Sequence, residues 1–176
     1  MPTVQTELYN PVTGIRLRET GNPEAGPAAE LVWEATYPPH ATEPPPHFHP
    51  FQSERMEVLS GALSARVSGT VRLLQPGDAV EIPAGAPHAT WTPAAEPVTV
   101  VWRVMPARRR REFFARLYDL AREGRTDAAG VPNLLQLAVL EAAYPDEIRL
   151  ARPPVPVQRV LFAVLAPIAR LLGYRA

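Results

Sequence analysis

The stretch His47-Phe48-His49-Pro50-Phe51-Gln52-Ser53-Glu54 holds two of the chain's four histidines, and Gly77-Asp78-Ala79-Val80-Glu81-Ile82-Pro83-Ala84-Gly85-Ala86-Pro87-His88 delivers a third. His47 and His49 are two residues apart, so on a β-strand both imidazoles project from one face. The carboxylate of Glu54 follows after Pro50-Phe51-Gln52-Ser53 and can reach that face from the next segment. His88 comes directly after the tight turn Pro83–Pro87. Neutral imidazole together with carboxylate suits divalent iron, manganese, nickel, zinc or copper. Four such ligands leave an octahedral ion two open positions.

Outward from these stretches, the pattern from Gly14 to Met105 is short and alternating, the signature of half-buried strands. Leu31, Trp33, Ala35 and Tyr37 alternate with Val32, Glu34 and Thr36; Leu63, Ala65 and Val67 with Ser64, Arg66 and Ser68; Val98, Val100, Trp102 and Val104 with Thr99, Val101 and Arg103. Between them lie turn residues: Gly61, Ser68-Gly69, Gln75-Pro76-Gly77-Asp78 and Thr92-Pro93. Many short strands separated in this way predict a sandwich or barrel. Pro11, Pro23, Pro27 and Pro44-Pro45-Pro46 belong to loops or edges, since a central strand cannot spare their N–H. Glu54 and Met56 share a strand parity that points inward, and Glu57 has the opposite one. His40 reads as a loop residue.

After Pro106 the period turns helical. A first helix spans Arg109 to Glu123 with Phe113, Leu117 and Leu120 on one side and Gly124 as its stop. Asn133 caps a second, Leu134 to Tyr144. A third runs from about Val157 to Tyr174, kinked by Pro167, with Val160, Leu161, Val164, Ile168, Leu171 and Leu172 as the stripe that packs on a sheet face or a twofold partner. Arg152-Pro153-Pro154-Val155-Pro156 is an extended connector. The expected organisation is a β-barrel over residues 1–105 and a helical extension over residues 106–176, packed on the barrel or on a dimer partner.

Composition narrows the chemistry. The 176 residues are 46% apolar and 20% charged, ordinary for one globular domain, which excludes a disordered or collagen-like chain. All 18 basic residues are arginine and there is no cysteine, so lysine Schiff bases, thiol nucleophiles, disulfides and cysteine-ligated metals are excluded. Residues 1–104 carry 6 Arg against 11 Asp and Glu, a net of −5, and residues 105–176 carry 12 against 7, a net of +5. Two oppositely charged parts of one molecule suit each other. The run Arg108 to Arg111 opposes the dipole at its helix start and calls for negative partners, so it reads as a solvated helix start docked on the acidic barrel. One basic cluster in a neutral chain is a poor nucleic-acid footprint, and no partner of that kind is expected. With no apolar run of 18 residues and no signal-like pattern in Met1–Asn10, the reading is cytoplasmic, without a membrane partner.

His47-Phe48-His49-x4-Glu54-x6-Gly61 and Gly77-x5-Pro83-x-Gly85-x2-His88 resemble the two motifs of the cupins. The resemblance covers Trp33 to Met105 and departs from the family pattern at Ala41, where glycine is usual, and at Thr92, where asparagine is usual. It implies a mainly β fold, a small jelly-roll barrel followed here by a helical extension of the sort some small bacterial cupins carry. It also implies that His47, His49, Glu54 and His88 ligate one divalent transition metal, iron, manganese, nickel or zinc. The implied activity is dioxygenase-type chemistry, similar to that of quercetinase-like cupins, on a small organic substrate that chelates the metal through adjacent oxygens, with Glu54 also taking a proton. Non-redox isomerisation, decarboxylation or polyketide cyclisation on the same metal, and small-molecule sensing without catalysis, are the alternatives. By the same analogy the chain is expected to form a homodimer.

Overall fold

The computed structural model describes residues 7–22 and 26–176; Pro23 and residues 1–6 of the N-terminal stretch, on which two expectations above fall, lie outside it. Two antiparallel sheets face each other. The first contains β1 (Glu7–Tyr9), β2 (Arg16–Glu19), β3 (Leu31–Tyr37), β5 (Ser53–Ser60), β8 (Ala79–Ile82) and β10 (Val98–Met105), in the order β1-β2-β3-β10-β5-β8. The second contains β4 (His47–Phe48), β6 (Leu63–Val67), β7 (Thr70–Leu74), β9 (His88–Trp91) and β11 (Arg149–Leu150), in the order β11-β4-β9-β6-β7. This is a mainly β jelly-roll barrel carrying, among the described residues, three helices, α1 (Arg110–Arg122), α2 (Leu134–Ala143) and α3 (Val155–Leu171).

Alternation sets the register. Trp102 on β10 lies opposite Trp33 on one side and Met56 on the other, and Val100 lies between Ala35 and Val58. All six are buried, so a one-residue slip of β10 would turn its apolar set to water. The turn after β5 needs Gly61: its φ is +78°, and a Cβ there would stand 2.4 Å from the Pro97 carbonyl oxygen. Glu57 lies on the outward face, paired with Arg55 at 2.6 Å.

The barrel core continues into the helical segment. Phe114 of α1 closes an aromatic triangle with Trp33 and Trp102, with ring centroids 5.2–5.4 Å apart. Ala107 and Tyr118 are buried in the same apolar cluster. The chain then returns to the sheet as β11, where Leu150 pairs opposite His47 and Arg149 opposite Phe48. Asn133 caps α2 by accepting the Gln136 backbone N–H at 3.0 Å.

One local expectation is corrected and one is narrowed. The third helix begins at Val155, inside the stretch read as an extended connector, with Pro156 in its first turn, and it continues through Pro167. Proline is tolerated there because the first helical N–H groups have no intrahelical acceptor. Within the chain the face of α3 that packs is Gln158, Phe162, Ala166 and Ala169, joined by Leu161 alone of the predicted stripe, so the stripe does not cover a sheet face. Phe162 and Ala166 meet Ala138 of α2, whose small side chain lets the two helices approach. Val160, Val164, Ile168, Leu171 and Leu172 are exposed, Leu171 by 88%. The helix is apolar almost all round, so its sequence marks no single inner face.

Candidate metal centre

The barrel interior brings the four predicted residues together. His47 is on β4, directly opposite His88 at the start of β9; His49 follows β4, and Glu54 is the second residue of β5. One ring nitrogen from each histidine can lie within 4.8 Å of the others. Glu54 Oε1 is 2.9 Å from His49 Nε2, and its Oε2 is 3.4 Å from His88 Nε2. His49, Glu54 and His88 are buried, and His47 is half-buried.

Each imidazole is oriented from behind by a backbone carbonyl. His47 Nδ1 meets the Pro45 oxygen at 3.2 Å, His88 Nδ1 meets Ala86 at 3.0 Å and His49 Nδ1 meets Glu147 at 2.6 Å. A carbonyl only accepts, so each Nδ1 carries the proton and each Nε2 presents a lone pair. That arrangement orients a metal-ligating histidine. Burial, then the neighbouring His49 and His88, holds His47 well below the usual histidine range; burial, then Arg110, lowers His49. Burial alone would raise the Glu54 carboxyl, but His49, His88 and Arg110 outweigh it and bring it well below its ordinary value. The centre thus holds an ionised carboxylate beside His47 and His49, on which a positive charge is disfavoured, and Glu54 Oε1 is buried with no hydrogen-bond partner among the described residues. Lone pairs converge there without enough protons to separate them, a donor set that fits a divalent transition metal.

Three further residues complete the centre and carried no separable signal in the sequence. Arg110, the first residue of α1, is 0% exposed: its Nη2 donates to Gln52 Oε1 at 2.7 Å and lies 3.2 Å from Glu54 Oε1, while Nη1 is 3.3 Å from His49 Nε2. Gln52 in turn donates to the Ala107 carbonyl and to Glu147 Oε2, both at 3.1 Å. Glu147 Oε1 accepts the Arg109 backbone N–H at 2.8 Å. The reading of Arg108–Arg111 as a solvated helix start is thus corrected at Arg110. Its neighbours do find acids: Arg108 meets Asp146 at 2.5 Å, Arg109 meets Glu112 at 2.7 Å and Arg111 meets Glu19 at 2.6 Å. Arg108 and Arg109 precede α1, and Arg110 and Arg111, the first two helical residues, point some 100° apart, so Arg110 turns inward while Arg111 reaches Glu19.

A cavity of about 420 Å³ opens onto His47, Glu54 and His88. The barrel supplies Tyr37, Met56 and Trp102 to its wall, and the helical segment supplies Phe113, Leu117 and Phe162 among others; His40, in a loop with φ +53°, stands at its exposed border. Ala41 and Thr92, the two departures from the motif pattern, meet each other, the Thr92 N–H donating to the Ala41 carbonyl at 3.2 Å. No helix among the described residues is long and apolar enough to cross a membrane.

Comparison with known proteins agrees with this geometry. Residues 33–104 match the cupin domain family. The chain is similar to the probable oxidoreductase patJ of Aspergillus clavatus, 38% identical over 65 residues that cover 36% of this chain and 20% of that protein. It is also similar to the oxidoreductase OpS7 of Beauveria bassiana, 48% identical over 46 residues, which cover 26% of this chain and 15% of the other. The matched stretches thus span a fifth or less of those relatives. An RmlC-like cupin from Shewanella frigidimarina has the same fold, with a TM-score of 0.50 at 18% identity over 61% of this chain and 89% of the other.

Proposed function

For a chain that carries a cupin domain over residues 33–104, we propose a metal-dependent oxidoreductase of dioxygenase type, acting on a small organic molecule that chelates the metal through adjacent oxygens. The observation that carries this reading is the convergence of three carbonyl-oriented imidazoles and one ionised, donor-poor carboxylate at the floor of a cavity. The oxidoreductase names of the two fungal relatives support the redox branch. When bound, the divalent ion supplies Lewis acidity towards the substrate oxygens and, as iron, manganese or nickel, a redox partner for dioxygen. His47, His49, Glu54 and His88 hold it. Glu54 also accepts the proton that a substrate hydroxyl releases, and Arg110, 3.2 Å away, keeps Glu54 ionised until that transfer. The apolar walls exclude water from the reacting oxygens.

Elemental analysis of the purified parent beside a His47→Ala, His49→Ala variant tests the ligand set: about one metal per chain in the parent and little in the variant is expected. Oxygen-electrode assays of protein reconstituted with each metal, using flavonols and diketones, then test the redox branch. Equal metal content in parent and variant removes the ligand assignment, and absence of oxygen uptake with every metal removes the dioxygenase reading. The exposed apolar face of α3 supports a homodimer as the working form.

A further inference from the structure

The cavity above the metal centre is a composite, and the charges on its wall say what it takes. Its lower end is His47, Glu54 and His88; above them stand Met56 and Trp102 of the barrel, faced by Phe113, Leu117 and Phe162 of the helices. The chain has 18 arginines and no lysine, yet no arginine lines this cavity among the described residues. The carboxylates on the wall are Glu54, in the centre itself, and Glu141, ion-paired with Arg149. Of the arginines around the centre, Arg110 lies behind the ligands against His49 and Gln52, and Arg111 reaches out to Glu19.

The geometry points to a substrate whose body is uncharged and largely apolar, with its oxygen donors at one end only. A phosphate or carboxylate on that body would leave water for a largely apolar wall on which no arginine stands, and would meet the Glu54 carboxylate instead. An apolar ring system, in contrast, finds aromatic edges and branched aliphatic groups on both sides, supplied jointly by the barrel and the helical segment. The selection is against charge, so the helical segment acts as the specificity-determining wall. The inference rests on the metal-centre reading only for which end of the molecule reacts; the binding preference follows from the wall.

The test uses the full chain stripped of metal, so that the chamber is read apart from the centre. A neutral solvatochromic naphthalene ketone serves as fluorescent probe, displaced by β-naphthol or by β-naphthoate, which share a ring system and differ in charge at neutral pH. Displacement by the naphthol at concentrations at least about tenfold lower is expected. Leu117 is half-buried in α1, and Leu117→Trp, which fills the chamber, should weaken the probe and both competitors about tenfold or more, while Leu117→Arg should reverse the preference. Equal or tighter binding of the naphthoate by the parent, or probe binding unaffected by a folded Leu117→Trp variant, overturns the inference. Loss of metal binding with the naphthol preference intact would overturn the proposed reaction and leave the chamber assignment standing.

Discussion

Replacing Arg110 with methionine removes a guanidinium that is 0% exposed and lies 3.2 Å from the Glu54 carboxylate and 2.7 Å from Gln52 Oε1. Methionine fills much of the same volume, so the main loss is electrostatic. Glu54 would remain buried without its fixed cation, and Gln52 Oε1 would lose the hydrogen bond that Arg110 donates. Breaking a buried pair from one side costs about 3–5 kcal/mol. For a chain of this length each kcal/mol moves the melting temperature by roughly 2–4 °C, so the metal-free variant should melt about 6–20 °C below the parent. Pairing the change with Glu54→Gln should recover part of that loss, because Glu54 is then neutral, while Glu147, 3.8 Å from Arg110 Nε, keeps its hydrogen bonds from Gln52 and the Arg109 N–H. In metal-saturated protein the ion itself offsets Glu54, and Arg110→Met should cost less than in the metal-free form. Urea and thermal unfolding of the four proteins of this cycle, with and without metal, measure all three quantities. A metal-free Arg110→Met variant within about 1 kcal/mol of the parent, or a double variant no more stable than the single one, would refute the assignment of Arg110 as the counter-charge of the centre.

Gly61→Ala should destabilise by about 1–3 kcal/mol, since it combines a left-handed φ with a Cβ placed 2.4 Å from the Pro97 carbonyl; a melting curve matching the parent's would mean that the turn relaxes freely. Burial, partly offset by the hydrogen bond to Thr90 and reinforced by Glu54, pushes the Tyr37 phenol up to about 12. An unfolded tyrosine ionises near pH 10, so between the two values the folded chain keeps a proton that the unfolded chain has lost. The neutral phenol's contribution is thus complete below about pH 10 and disappears as the pH rises towards 12, a decline that Tyr37→Phe should lessen in alkaline unfolding series. Light scattering should give twice the chain mass for the parent and one chain for a Val160→Glu, Leu171→Glu variant, whose positions are 69% and 88% exposed; a monomeric parent would end the homodimer proposal.

What the sequence made legible divides along a physical line. The strands around Trp33 and Trp102 were readable because a period of two has one inward face, and the structure pairs those residues across β3 and β10. His47, His49, Glu54 and His88 were readable as a group because strand parity and a short turn bring chemically compatible side chains to one place. Arg110 was hidden among four consecutive arginines, which composition cannot rank; only the docking of α1 decides that Arg110 meets His49 while Arg111 meets Glu19. Glu147 carried no local signal, because both its carbonyl and its carboxylate are brought to the centre by a loop after α2, far from the motif. The face of α3 that packs within the chain was not legible because it combines Phe162 with small alanines, while most of the large aliphatic side chains point outward.

The carbonyl that fixes His49 belongs to a residue 98 positions further along the chain, and Arg110 comes from 61 positions away. During synthesis the strands from Leu31 to Met105 leave the ribosome well before Glu147 does. Until that residue emerges, the His49 ring has no partner for Nδ1, and Leu150 has not yet paired beside His47. If the centre holds a metal as proposed, its site is therefore complete only late in synthesis, when Glu147 and β11 have emerged. A chain halted before Glu147 would already hold Arg110 and the carbonyls behind His47 and His88, and would lack the carbonyl that fixes the His49 ring.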